Sequence, residues 1–192
     1  VAWGLRTEGL QTIPGQSTGE VRVELTTGEP RYDICQPRAW DFIGDHGGRA
    51  TQMLCHGLLA LRSEASRRTF AAICSRSAGA IRFFDVNIRP PHDSPELLQQ
   101  WLQGADWLKL NLEELATVLG LRPLPFAKCM PAMDRLREEH GVRNVLLTAG
   151  AEGLCIRGEY GTALCAPAPP LARRVDTVGA GDAISAVAID GI

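Results

Sequence analysis

With 192 residues the chain can bury a real core, and it reads most simply as one domain. Its 20 basic and 22 acidic side chains are interspersed and sum to a net charge of −2, so there is no broad electrostatic footprint for nucleic acid or an anionic membrane. No apolar run reaches transmembrane length, and the first residues lack the basic region and long apolar core of a signal peptide.

Residues 20 to 25 alternate, with Val21, Val23 and Leu25 on one side and Glu20, Arg22 and Glu24 on the other, which is the period of a strand with one wet face. A turn follows over Thr26 to Pro30, and Tyr32 and Ile34 resume the alternation up to Cys35. The pattern predicts a hairpin at about 18–36 whose apolar face needs a cover, either the body of the domain or another subunit.

From about residue 52 short apolar runs alternate with amphipathic helices. Met53–Cys55, Ile81–Val86, Trp107–Leu110 and Arg143–Leu147 are the expected strands. Ser63 caps a helix in which Phe70, Ile73 and Cys74 share a face and which Gly79 stops; Ser94 and Pro95 open one with Leu97, Leu98, Trp101 and Leu102 buried, ended by Gly104. Helices at about 112–119 and 131–140 precede the last of these strands. Such repetition implies parallel pairing through right-handed crossovers, hence an α/β layered fold with a mostly parallel sheet. After Gly153 two short strands, roughly Leu154–Ile156 and Thr162–Cys165, form an antiparallel appendage. Pro167, Pro169 and Pro170 then lead into a short strand and a terminal helix.

Six cysteines (Cys35, Cys55, Cys74, Cys129, Cys155 and Cys165) show no C-x-x-C pair and no histidine at zinc-ligand spacing. They read as small hydrophobes in a reducing cytosol, with no metal held by sulfur. Among the histidines, His56 lies in an apolar run and reads as a packed core residue; none is assigned chemistry.

Polar residues gather where the strands end. Asp85, Asn87 and Arg89 lie at or beyond one strand end, Asn111 and Glu114 beyond the next, and Thr148, Gly150 and Gly153 beyond a third. In an open α/β sheet that edge is where ligands bind. Each group also has a purely structural reading. Asn111 and Glu114 match a helix capping pair, with a carboxylate that holds a water on a phosphate-bound Mg²⁺ as the functional alternative. Asp85 to Pro91 is either a strand end with an Asx turn and a proline stop or a place where the Arg89 fork meets a carboxylate, phosphate or sugar oxygen. Thr148 to Gly153 lacks P-loop spacing and is either a plain glycine turn or a nucleotide contact.

The last stretch, Asp176-Thr177-Val178-Gly179-Ala180-Gly181-Asp182, places almost no side chain where an apolar helix begins, so the first N–H groups of that helix are open to an anion. Asp182 adds a carboxylate that the helix dipole keeps ionised. Either Thr177 or Asp176 caps an ordinary helix after a tight turn, or the stretch is a phosphate seat beside a charged acceptor, suited to phosphoryl transfer to a hydroxyl.

In this order and spacing, the four motifs resemble the ribokinase/PfkB family of carbohydrate kinases across nearly the whole chain. Asp85-Val86-Asn87-Ile88-Arg89-Pro90-Pro91, with Arg38-Ala39-Trp40-Asp41 upstream, is most similar to the fructokinase and ketodeoxygluconate kinase branch. The resemblance implies a ribokinase-like three-layer sandwich with a small β lid hairpin, and transfer of the γ-phosphoryl of ATP to a sugar hydroxyl. It also implies that Asp182 is the base and that the N–H groups around Gly179, Ala180 and Gly181 form the anion hole. Glu114 would organise Mg²⁺ with Asn111; Thr148, Gly150, Gly153 and Thr177 would adjoin the nucleotide; Asn87 and Arg89 would face substrate. The hairpin would exclude water as part of a lid and supply a homodimer contact.

The family typically begins with a sugar-binding Asp and a Gly-Gly motif, neither of which precedes Val21, and it continues beyond the helix where this chain ends at Ile192. The expectation is therefore a kinase domain truncated at both ends, with slow or absent turnover because positioning supplies much of phosphoryl-transfer catalysis. Competing expectations are a nucleotide-binding or dimerising remnant without turnover, and a nicotinamide oxidoreductase, which lacks its G-x-G-x-x-G fingerprint.

Overall fold

The alternation near the start produces the hairpin: β1 (Val21–Glu24) pairs antiparallel with β2 (Arg31–Ile34), Val21 opposite Ile34 and Val23 opposite Tyr32. The computed structural model describes residues 4, 7–24, 31–45, 47–170 and 178–192, so the turn after Glu24 and the short strand expected before Val178 lie outside the described residues. The chain divides into two compact units, 1–50 with 60–78 and 51–59 with 79–192. No described helix is long and apolar enough to cross a membrane.

The first unit holds the hairpin, a 3-10 turn at Ala39–Phe42 and α1 (Glu64–Arg76). Ser63 caps α1 as expected, its hydroxyl accepting from Ser66 N at 3.1 Å. The helix ends at Arg76, before Gly79, because Ser77 N–H bonds back to Ile73 and Cys74 carbonyls. Phe70, Ile73 and Cys74 share a half-buried face, while Ser66 and Thr69 are buried. Small polar side chains allow the close approach in which Ser66 Oγ donates to Trp40 O at 3.3 Å. On the hairpin, Val21 and Val23 stay 46% and 50% exposed.

Arg62 fastens this unit. Its Nε donates to Asp41 Oδ1 at 2.6 Å and its Nη2 to Asp41 Oδ2 at 2.9 Å and Cys35 O at 3.0 Å, with both side chains buried. Removing one member of a buried pair strands the other charge, at a cost of about 3–5 kcal/mol. Asp41→Ala is expected to lower unfolding stability by that amount in urea titrations.

In the second unit β3 (Met53–Gly57), β4 (Ile81–Asp85), β5 (Trp107–Asn111), β6 (Asn144–Thr148), β7 (Leu154–Arg157) and β8 (Ala163–Ala166) lie side by side in chain order. The first four are parallel and the last two antiparallel. The helices are α2 (Pro95–Leu102), α3 (Leu112–Val118), α4 (Cys129–His140) and α5 (Ala180–Asp190). Strand alternation separates Phe84 and Leu108 on one face from Phe83, Asp85 and Lys109 on the other. α2 and α4 lie on the Phe84 face: Trp101 of α2 meets His56 edge-on at 5.6 Å, and Cys129 of α4 lies 3.6 Å from Cys155, the partner of Leu147. α5 lies on the Asp85 face, where Ser185 Oγ donates to Asp85 Oδ2 at 3.0 Å. This gives three layers around a core of Phe83, Phe84, Leu108, Leu110 and Leu147, none of them exposed.

His56 is a packed core residue, stacked on Phe84 at 4.6 Å. Burial, with the Arg82 charge adding to it, lowers its pKa from 6.5 to about 3. The unfolded chain therefore binds a proton that the folded chain refuses, so stability is full above about pH 6.5 and falls as pH drops towards 3, by at most about 1.4 kcal/mol per pH unit. His56→Phe is expected to flatten this acid limb in urea titrations at a series of pH values.

The cysteines depart from expectation. Cys155 and Cys165 form a disulfide across β7 and β8, where they are direct partners with Cα atoms 4.1 Å apart. Residues ten apart meet only once the two strands pair, so no spacing motif announces the bond.

Candidate active site

The strand ends are joined by one carboxylate. β5 ends at Asn111, which caps α3 by accepting from Glu114 N at 2.9 Å, and Glu114 Oε2 returns to Asn111 N at 2.8 Å. This is the reciprocal capping box read from the sequence. A third bond was not legible: Glu114 Oε1 accepts from Ile88 N at 2.9 Å, binding the exit loop of β4 to the start of α3. Burial pushes the Glu114 carboxyl up against the lowering effect of the Asn111 and Ile88 amides and of the Lys109 charge. Each oxygen thus holds one backbone amide and keeps a lone pair, a donor set that fits a water on a hard cation better than direct ligation.

The β4 exit turns at Asn87, whose φ of 45° lies in the left-handed region that asparagine tolerates better than most residues. Arg89 beyond it is exposed and donates to its neighbour's carbonyl, Ile88 O, at 2.8 Å. At the end of β6, Thr148 pairs with Asn111 across the parallel ladder. The following loop closes through Ala149 N to Gly153 O at 2.8 Å, with Gly150 exposed at φ 55°. Gly153 is buried at φ 120°, and a Cβ there would collide with the Ala166 carbonyl, so only glycine lets this loop sit against β8.

Gly179 adopts φ 78°, and α5 then starts at Ala180 with open space beside Gly179. Ala183 N donates to Gly179 O at 2.9 Å, and the earlier N–H groups of the turn have no intrahelical partner. Asp182 sits exposed in this first turn. Desolvation pushes the Cys55 thiol up, and the Asp85 and Asp182 carboxylates push it further, so both acidic groups act on the same β3 residue.

Beneath the turn lies an arrangement that the sequence reading missed. Lys109 Nζ stands 3.0 Å from each Asp85 oxygen, and Asp85 Oδ2 accepts from Ser185 of α5. The Lys109 and Asp85 side chains are 9% and 15% exposed. A Cβ at Gly181 would reach within 3.0 Å of Lys109 Nζ, so the helix start rests directly on the ammonium. The available signal was a lysine inside an apolar strand, at the register of an aspartate on its neighbour.

The structure therefore brings Asn87's loop, Asn111, Glu114 and Thr148 together along one edge of the sheet, and seats Gly179, Ala180, Gly181 and Asp182 over Asp85 and Lys109. Gly150 and Gly153 follow directly from Thr148. Arg89 makes no side-chain bond to this group among the described residues, and Thr177 lies outside them.

A mostly parallel sheet in three layers, with a separate hairpin and a glycine turn opening the last helix, is the ribokinase-like architecture. The model of the pfkB family carbohydrate kinases matches residues 3–192, and the chain belongs to that family. It is similar to a fructokinase from Klebsiella pneumoniae, with 35% identity over 143 residues, 70% of this chain and 44% of that one. The aminoimidazole riboside kinase from Salmonella enterica superposes with a TM-score of 0.66 at 25% identity, over 81% of this chain and 53% of that one. A Vibrio cholerae O395 fructokinase in its fructose, ADP and calcium ion bound form gives 0.71 at 22% identity, over 90% and 57%, a likeness of fold. The chain spans about half the length of these relatives.

Proposed function

We propose that residues 1–192 form a single kinase domain that catalyses ATP-dependent phosphoryl transfer to a sugar hydroxyl, with a fructokinase-like substrate. The observation that carries this reading is the open glycine turn of α5, with Asp182 exposed in its first turn and the Lys109–Asp85 pair directly beneath.

Asp182 takes the proton of the attacking hydroxyl, whose oxygen would bond to the γ-phosphorus of ATP as the bond to the bridging oxygen breaks and ADP leaves. The N–H groups around Gly179, Ala180 and Gly181, with the Lys109 charge below them, stabilise the charge that develops on the transferring group. Thr148, Gly150 and Gly153 flank the nucleotide, Thr177 adjoins it, and Asn87 and Arg89 face the substrate. Glu114, steadied by Asn111, would hold Mg²⁺ through a water, by the lone pairs that its two backbone bonds leave over. When bound, ATP supplies the phosphoryl group and Mg²⁺ neutralises its oxygens. The K. pneumoniae relative and the V. cholerae neighbour are both fructokinases, which supports a ketose as substrate.

A coupled ADP-release assay over a panel of ketoses and ketodeoxy acids tests the reading. Turnover that disappears in Asp182→Asn supports it; nucleotide binding without turnover supports a non-catalytic nucleotide-binding module. We also propose a homodimer through the hairpin, whose Val21 and Val23 are half exposed. Light scattering is expected to give twice the chain mass for wild type and the chain mass for Val23→Glu.

A further inference from the structure

β8 is the last strand of the sheet among the described residues, and three sulfurs converge between it, β7 and the start of α4. Cys129 is the first residue of α4, Cys155 lies within β7, and Cys165 is its direct partner on β8. Cys129 Sγ stands 3.6 Å from Cys155 Sγ, and all three sulfurs lie within 4.8 Å of one another. Cys129 and Cys155 are buried and Cys165 is exposed. A zinc–thiolate bond of about 2.3 Å places two thiolates on one ion about 3.7–4.0 Å apart. The Cys129–Cys155 separation already lies close to that value, so Cys165 is the sulfur that has to move.

We propose that, once the Cys155–Cys165 disulfide is reduced, Cys129, Cys155 and Cys165 form a three-thiolate site for one soft cation of the zinc class. Solvent supplies the fourth ligand on the Cys165 side. The site is independent of the sugar-kinase reading, since none of its residues belongs to the strand-end cluster.

An external dithiol supplies the electrons. Its thiolate attacks the exposed Cys165 sulfur; the S–S bond breaks, and Cys155 leaves as a thiolate that takes a proton. The second thiol of the reductant then closes on the mixed disulfide and frees Cys165, so one dithiol becomes a disulfide and the protein gains two thiols. Binding of the cation releases the protons of the three thiols. Three thiolates around a divalent ion leave one net negative charge. It lies at the first residue of α4, a helix of 12 residues, whose positive dipole end favours an anion.

The test uses the full chain, reduced with a phosphine under anaerobic conditions and titrated with Cd²⁺ and then Zn²⁺ against a chromophoric chelator. The expected result is a thiolate-to-metal charge-transfer band that saturates at one equivalent. Affinity should fall at least about tenfold in Cys129→Ser and in the exposed Cys165→Ser, and stay unchanged in Cys74→Ser. The oxidised chain should give no band at one equivalent. Undiminished affinity in Cys165→Ser, equal binding by the oxidised chain, or no band after reduction would each overturn the proposal. Circular dichroism of the serine variants separates lost ligation from lost folding, and a folded Cys165→Ser with full affinity would be decisive against it.

Discussion

Replacing Asp182 with asparagine is expected to slow phosphoryl transfer by about 10²- to 10⁴-fold while leaving nucleotide affinity unchanged. Asparagine has the shape of aspartate and position 182 is exposed, so α5 and the Gly179–Gly181 backbone should persist. What it lacks is a basic oxygen for the hydroxyl proton. Asp182 is exposed, so its replacement strands no buried partner and stability should hardly change. The measurement is ADP release at saturating sugar together with calorimetric ADP affinity. Equal loss of both would make Asp182 a nucleotide contact, and unchanged turnover would remove it from the chemistry.

The second large effect is structural. Lys109→Met is expected to destabilise the second unit by about 3–5 kcal/mol, because it leaves the Asp85 carboxylate in a largely dry site with, among the described residues, the Ser185 hydroxyl as its hydrogen-bond partner. Adding Asp85→Asn should restore much of the loss, since replacing both members of a buried pair removes charge and counter-charge together. Urea titrations of the two single variants and the double variant give the coupling energy directly. Strictly additive losses would mean that the pair does not act as a unit. Because Gly181 rests on the ammonium, anion affinity at the glycine turn should fall in Lys109→Met and only partly return in the double variant, which lacks the positive charge.

What could be read from the sequence was what is local along the chain. Ser63, Ser94 and Asn111 cap helices through bonds that span three residues, and each cap lies where expected. The apolar stripe of α2 and the strands around Phe83, Leu108 and Leu146 follow from periodicity, which one window of sequence contains. What escaped reading depends on register between distant segments. Ser185 meets Asp85 across a separation of 100 residues, and Arg62 meets Asp41 across 21. Cys155 and Cys165 meet only after a strand reversal. On α1 the apolar Phe70, Ile73 and Cys74 stay half-buried, whereas close contact with Trp40 buries Ser66, a contact across 26 residues that no local pattern carries. At the candidate site, Asn111 and Glu114 were legible as a pair, but the tie from Glu114 to Ile88 spans 26 residues and shows only in three dimensions.

That tie leaves no hinge between the exit of β4 and the start of α3. The loop after β4 and the beginning of α3 are clasped by the same buried carboxylate, so neither can lift without tearing a hydrogen bond that the other end also needs. A guest that settles at one strand end is thereby felt at the next, through a rigid strut of one side chain.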